Sequence, residues 1–445
     1  MSLQGIVPTA TLIVFLCNLI MISCSSAPPT PPVPGLKVFV GASIFAGDGN
    51  LIENAALVVR DGRVEQLGSL EVLRLPKGAE RIDLEGKFIT PGFINTHGHV
   101  GGTLGLDTGK NVYTKENILD QLHLYARYGV TTINSLGGDG PEAVEIRDAQ
   151  NVPELDRARI FVAGNVVSGN TPRKVRTEVE ANSKMGVDWI KIRVDDNLGT
   201  TRKMTPKTFR AVINESHKLG KRVAAHLYYL EDGKELIQSD VDFIAHSVRD
   251  QKVDDIFARG LIETETCLCP TLTREVSTFI YESEPVFFSD PFFLKEANLS
   301  VLEQLKDPTR QNKMRKSKTA QQYKKALEIA SENLKILSDA GVSIAFGTDS
   351  GPPARFQGYF EHVEMDLMAK AGLGAYQILQ SATGVAARCL RLYEVGTLST
   401  GKWADFNVFT KNPWEDISNT RSLESTWIAG NHVAAQPTAE NTAAY

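Results

Sequence analysis

Between Phe93 and Thr348 the chain repeats one pattern: a short apolar run followed by a longer amphipathic stretch. The apolar runs fall at Phe93–His97, Thr131–Leu136, Ile160–Gly164, Trp189–Val194, Val223–His226, Phe243–His246, Glu263–Leu268 and Ser343–Thr348. Stretches of helical period, such as Asn117–Tyr128, Thr205–Leu219 and Lys316–Ala340, separate most of them. Parallel strands need long crossovers, usually helices. Eight such units over roughly 300 residues match a (β/α)8 TIM-type barrel with insertions. A doubly wound sheet would want a glycine fingerprint after its first strand. Gly137-Gly138-Asp139-Gly140 follows the second strand and lacks that spacing, so it reads as a plain loop.

Both ends of the chain are different. Val38–Val40, Ala55–Arg60 and Val64–Leu67 read as strands, and Asp61-Gly62 is a two-residue hairpin turn. Trp403–Phe409 and Ser425–Ile428 read the same way. A small β-sandwich domain built from both termini is therefore expected, residues 36–88 with 392–435, around a barrel of residues 89–391. Residues 436–445 are small and polar and read as a disordered tail.

Ile6–Ile22 is almost wholly apolar yet shorter than the roughly 20 residues that span a bilayer, which suits a signal peptide. Leu19-Ile20-Met21-Ile22-Ser23-Cys24 resembles a bacterial lipobox, which implies lipidation of Cys24. Residues 1–24 would then be the signal segment and the Pro-rich residues 25–35 a stiff tether. No Lys or Arg precedes the apolar run, so a plain membrane anchor stays open. The expectation is an exported protein, periplasmic or membrane-anchored, touching the membrane only through this segment. A net charge of -5 argues against a nucleic-acid partner. Past Cys24 only Cys267, Cys269 and Cys389 remain, too few for a disulfide framework. Cys267 and Cys269 read as small buried hydrophobes, in a core without covalent staples.

The chemistry gathers at the strand ends. His97 and His99 close the first strand in F-I-N-T-H-G-H, and alternation points both imidazoles to one side. Lys191 lies in the fourth strand, His226 and His246 end the fifth and sixth, and Asp349 follows the eighth. In a barrel these ends share one mouth, where barrel enzymes keep their chemistry. His123, His217, His362 and His432 fall elsewhere and read as surface or packing residues. The long insertion from Thr271 to about Lys318 reads as a lid with a solvated basic helix face.

With P-G-F-I-N-T-H-G-H at one end and G-T-D-S at the other, this set resembles the amidohydrolase superfamily, in its imidazolonepropionase-like and Xaa-Pro dipeptidase-like branch. The resemblance runs from about Leu36 to Val433. It implies two divalent ions, zinc by expectation: His97, His99 and Asp349 on one, His226 and His246 on the other. Lys191 would bridge them as a carbamate. It further implies hydrolysis of an amide or peptide C–N bond by a metal-bridging hydroxide, with Asp349 moving the proton. A small substrate is expected, such as a dipeptide or an N-acyl amino acid.

Arg193 lies two residues beyond Lys191, Tyr228 two beyond His226, and Arg249 opens the loop after His246. Together they would suit a substrate carboxylate. For Arg193 a salt bridge to Asp195 or Asp196 fits equally well. Two rival functions stand beside this reading: hydrolysis of a cyclic amide or lactone, and a non-catalytic metal-binding lipoprotein. The chain is compatible with a homo-oligomer.

Overall fold

The computed structural model describes residues 1–2 and 33–435. The apolar leader, Cys24, most of the tether and the tail from residue 436 lie outside the described residues. Among the described residues no helix is long and apolar enough to cross a membrane.

Leu36–Phe45 pairs antiparallel with Leu51–Arg60, which pairs with Arg63–Ser69. The turn between the last two has positive φ at both Asp61 and Gly62, the backbone whose twist matches flanking strands. Phe88–Pro91 joins Leu36–Phe45 in parallel and carries Phe406–Phe409 on its far side. Leu423–Ile428 and Asn431–His432 follow, so one eight-stranded sheet draws on both ends of the chain. Period-2 alternation gives this sheet two apolar faces. Val38, Val40, Ala56 and Val58 pack on one side, and Phe39, Leu57, Val59, Phe406 and Val408 on the other.

The middle of the chain is a TIM-barrel-like α/β arrangement. Phe93–Gly98, Val130–Ser135 and Arg159–Val162 form one parallel sheet. Trp189–Val194, Arg222–Leu227, Phe243–Ile244 and Cys267–Leu268 form another. A parallel bridge from Val167 to Ile192 links the two. On the other side the segment 343–348 hydrogen-bonds to both neighbours, with Ala345 N–H to Leu268 O at 2.9 Å and Thr96 N–H to Phe346 O at 2.8 Å. The seventh strand is shorter than the sequence pattern predicts. Glu263 ends the helix Asp255–Glu263, and Glu265 turns the chain at φ 53° before the two strand residues begin. Glu263, Thr264 and Glu265 are exposed, which a central strand of this kind does not permit.

The expectation of a core without staples is corrected. Cys267 and Cys389 form a disulfide across 122 residues, while Cys269 is a buried free thiol. In the chain-entropy picture a loop of that length lowers unfolded-state freedom by about 5 kcal/mol. The bond ties the seventh strand to the helix Ala386–Leu390.

A buried ion pair joins the strand Arg159–Val162 to the terminal sheet. Arg159 donates from Nε to Asp405 at 2.9 Å, both side chains 2% exposed, with the guanidinium over the Trp403 ring. Asn407 also donates to the Gly129 carbonyl at 2.9 Å. Between Thr271 and Lys318 the chain forms short helices, among them Leu272–Val276, Leu299–Leu305 and Pro308–Arg315, the last burying no residue.

Candidate metal centre

His97, Lys191, His226, His246 and Asp349 are all buried, and His99 is partly exposed. Lys191 lies inside the strand Trp189–Val194, and the other five sit at or just beyond the ends of parallel strands that run in one direction. His97, His246 and Asp349 each offer a ligand atom within 4.8 Å of the others. His99 Nε2 lies 2.9 Å from Asp349 Oδ1, and the Lys191 amine 3.4 Å from His97 Nε2. The His226 and His246 rings stand 4.2 Å apart between centroids. The structure thus brings all six residues together.

Every imidazole is oriented by a partner on one nitrogen, and the second nitrogen of His99 also faces Asp349 Oδ1. His97 Nδ1–H donates to Ala245 O at 2.9 Å, and His99 Nδ1–H to Gly137 O at 3.0 Å. His246 Nδ1 meets Thr271 Oγ1 at 2.6 Å, and His226 Nε2–H donates to Asp195 Oδ2 at 2.8 Å. Such supports fix tautomer and ring angle in metal sites. The donor chemistry therefore fits divalent ions: four imidazoles each presenting one nitrogen, a carboxylate, and a lysine that could bridge.

Burial governs the charges. It holds His97 and His246 well below the usual imidazole range and His226 down at about 3, so all three are neutral at pH 7. Burial also brings Lys191 down to about 7, so a share of its amine is uncharged at neutral pH. For Asp349 burial pushes upward, but Arg355 and His99 outweigh it and keep the carboxyl well below its usual value.

Close packing fixes the Asp349 turn. A Cβ at Gly347 would lie 2.6 Å from Cys269 Sγ and 2.8 Å from His97 N. One at Gly351, φ +110°, would lie 2.2 Å from His99 O. Beneath it, Glu361 accepts from Asn95 at 2.5 Å, Ser350 at 2.7 Å and Thr348 at 2.9 Å. These bonds bind the first strand to the turn.

The three expected anion readers fare differently. Arg249 is fully enclosed, ion-paired to Glu275 at 3.0 Å and donating to Leu227 O and Ser247 O. These partners hold its Nη1 and Nε side, while its buried Nη2 has no hydrogen-bond partner among the described residues. Arg193 is half-exposed, its Nη2 3.4 Å from Asp195 Oδ2, so the salt-bridge alternative is the one realised. Tyr228 is buried, with Arg249 over its ring at 4.9 Å.

Four residues at the site lay outside the set of sequence candidates. Asp195 and Thr271 hold His226 and His246, and Thr271 does so from φ 47°, an outlier for a β-branched residue. Arg355 Nη1 lies 2.6 Å from Asp349 Oδ2. Asp139 accepts from Ser135 Oγ, Ala163 N–H and Gly164 N–H, and burial pushes its carboxyl up to about 6. Gly137–Gly140 is a loop, as the sequence reading has it, and it supports the site through Gly137 O and Asp139. A polar residue straight after an apolar strand end, as in C-P-T at Thr271, was the available signal for that residue. For Arg355 nothing in the sequence marks it.

Comparison with known proteins places this architecture. The chain aligns with an enamidase of Eubacterium barkeri at 28% identity, over 41% of this chain and 47% of that protein. It aligns with a dihydroorotase of Staphylococcus epidermidis at 26% identity, over 40% and 41%. An uncharacterized protein of Mycobacterium tuberculosis matches at 26%, over 44% and 53%. The alignments span about half the length of these curated relatives. Among solved structures, a Xaa-Pro dipeptidase with bound methionine superposes with TM-score 0.73 at 22% identity, over 89% of this chain and 99% of that one. A prolidase candidate from Bifidobacterium longum superposes with TM-score 0.72 at 25% identity, over 93% and 98%. The profile of the amidohydrolase family matches residues 88–433, from the strand before His97 to the end of the terminal sheet, and this chain is a member of that family.

Proposed function

We propose that this protein is a two-metal amidohydrolase that cleaves the C–N bond of a small substrate, a dipeptide or an N-acyl amino acid. The convergence of His97, His99, Lys191, His226, His246 and Asp349 at one mouth carries the reading. In it, His97, His99 and Asp349 would hold one divalent ion and His226 and His246 the other, with Lys191, as a carbamate, the residue that would serve both. Zinc suits this mixture of imidazole and carboxylate. The same reading takes the two parallel sheets as one eight-stranded barrel over residues 89–391, supported by the bridges at Val167 and Leu268. It takes the terminal sheet, residues 36–88 and 392–435, as a β-sandwich-type domain.

Bound there, the ions would supply a water of lowered pKa and a Lewis acid for the scissile carbonyl. The protein's own part is positional. Asp349 Oδ1 faces His97 and His99, at 3.6 and 2.9 Å from their Nε2 atoms. With Oδ1 on the ligand side, Oδ2 is the oxygen left to accept a proton from the attacking water and return it to the leaving nitrogen. The neutral histidines keep their ligand nitrogens unprotonated at pH 7. Lys191→Ala removes the bridging position and should lose metal and most activity.

Turnover of a dipeptide and N-acyl amino acid library by zinc-loaded protein tests the reading. Hydrolysis of cyclic amides alone would favour the second reading, which the enamidase and dihydroorotase alignments support. Localisation is a separate proposal, an exported lipoprotein acylated at Cys24. Mass spectrometry of the mature protein should find diacylglycerol on Cys24, and an unmodified chain that keeps Met1 would reject it.

A further inference from the structure

Arg355 stands between the metal centre and a cavity of about 620 Å³. Its Nη1 reaches Asp349 Oδ2 at 2.6 Å and the Asp349 carbonyl at 3.3 Å. Its Nε and Nη2 make no hydrogen bond among the described residues, and the side chain keeps 18% of its surface exposed. The cavity it lines runs between the helix Lys115–Arg127, the loop at Thr103–Gly105 and the insertion at Glu296–Val301.

The other basic groups on this cavity are already engaged. Arg127 pairs with Glu296 at 2.9 Å, and His123 rests 3.4 Å from Asp156. Arg355 alone among them has its carboxylate partner in the metal centre rather than in the cavity wall. Its backbone is also built to hold it there. Ala354 sits at φ +62°, the left-handed region a non-glycine residue avoids. Tyr281 of the insertion donates to the Ala354 carbonyl at 2.5 Å, and Gly351 N–H donates to Arg355 O at 2.9 Å. Strain held in place by surrounding contacts is characteristic of functional positions.

We propose that Arg355 is a specificity-determining residue that reads a carboxylate of the substrate's leaving amino-acid portion, lodged in this cavity. A guanidinium presents several donors in one plane, so it can hold one carboxylate while a second approaches its free edge. The substrate's carboxylate competes with Asp349 for the guanidinium, and drawing Arg355 toward the cavity releases Asp349 Oδ2 beside the reacting centre. Occupation of the cavity and availability of Asp349 are thereby linked. This assignment rests on the proposed hydrolytic reading and stands beside that of Arg249, whose Nε side Glu275 holds.

The test uses the zinc-loaded full chain and calorimetric titration with L-methionine, L-proline, L-leucine and their amides. Wild-type protein should bind at least one acid about tenfold or more tighter than its amide. Arg355→Met should weaken the acid by about 10- to 100-fold, the range of a charge-assisted hydrogen bond, and leave the amide unchanged. Arg355→Lys should restore part of the preference. Zinc content and melting temperature are measured alongside. Should Arg355→Met shed its zinc, Tyr281→Phe takes its place, since it loosens the Ala354 turn without altering charge. A smaller loss confined to the acid is then expected. Equal weakening of acid and amide, or no preference for the acid in wild-type protein, would overturn the proposal. Failure of the hydrolytic reading is separately visible: acid binding through Arg355 with no turnover of the dipeptide library would keep the subsite and discard the reaction.

Discussion

The two oxygens of Asp349 face different partners. Oδ1 faces the His97 and His99 nitrogens, and Oδ2 is held by Arg355. Asp349→Asn keeps the size and one ligating oxygen but cannot carry a proton. Metal should remain largely bound while kcat falls by about 10²–10⁴, the usual span for a lost general acid–base. Near-native kcat would mean that the proton travels elsewhere. Thr271 supports a prediction of a different kind. Its hydroxyl is the partner of His246 Nδ1 at 2.6 Å, so Thr271→Val leaves that ring without its anchor at nearly constant volume. Zinc affinity, read by chelator competition, should drop about 10- to 100-fold and recover in Thr271→Ser. Unchanged affinity in the valine variant would show that packing alone orients His246.

Elements that obey a simple period were legible in the sequence, and those set by tertiary contacts were not. The helix read at Thr205–Leu219 is Pro206–Lys218 with those two residues as its caps, because its apolar face, N-terminal proline and last-turn basic residues agree. The fourth strand, Trp189–Val194, is read to the residue. The seventh was overextended, since alternating Glu and Thr imitate a strand while solvent exposure decides for a helix end and turn. Strand-end histidines could be found because alternation and an apolar lead-in give each a position along the sequence. Arg355 and Thr271 act through neighbours distant in sequence, and no local period records that. The Cys267–Cys389 bond is the same case, joining residues 122 positions apart. Cys389→Ser should lower unfolding free energy by about 2–5 kcal/mol. A denaturant midpoint that matches wild type, under non-reducing conditions, would contradict this.

At the scale of the whole molecule, acid is the predicted weakness, and buried histidines are one cause. His362 is the cleanest case, since it packs between barrel and terminal segments and takes no part in the metal centre. Its Nε2–H donates to Tyr128 O at 2.9 Å, its Nδ1 lies 3.0 Å from Thr420 Oγ1, and Phe292 packs against the ring. Burial, with Arg421 nearby, brings its pKa down to about 3, against 6.5 for an unstrained imidazole. Between these values the unfolded chain binds a proton that the folded chain refuses. Stability from this group is therefore fully present above about pH 6.5 and is lost as pH falls toward 3, by about 1.4 kcal/mol per pH unit. Urea unfolding at pH 7, 6, 5 and 4 should show His362→Gln losing stability less steeply with acid than wild type, by about one proton's worth of slope. The glutamine carries an amide N–H for Tyr128 O and has nothing to titrate in this range. Parallel curves for the two proteins would mean that His362 is protonated in the folded state, and the acid sensitivity would then belong to other groups.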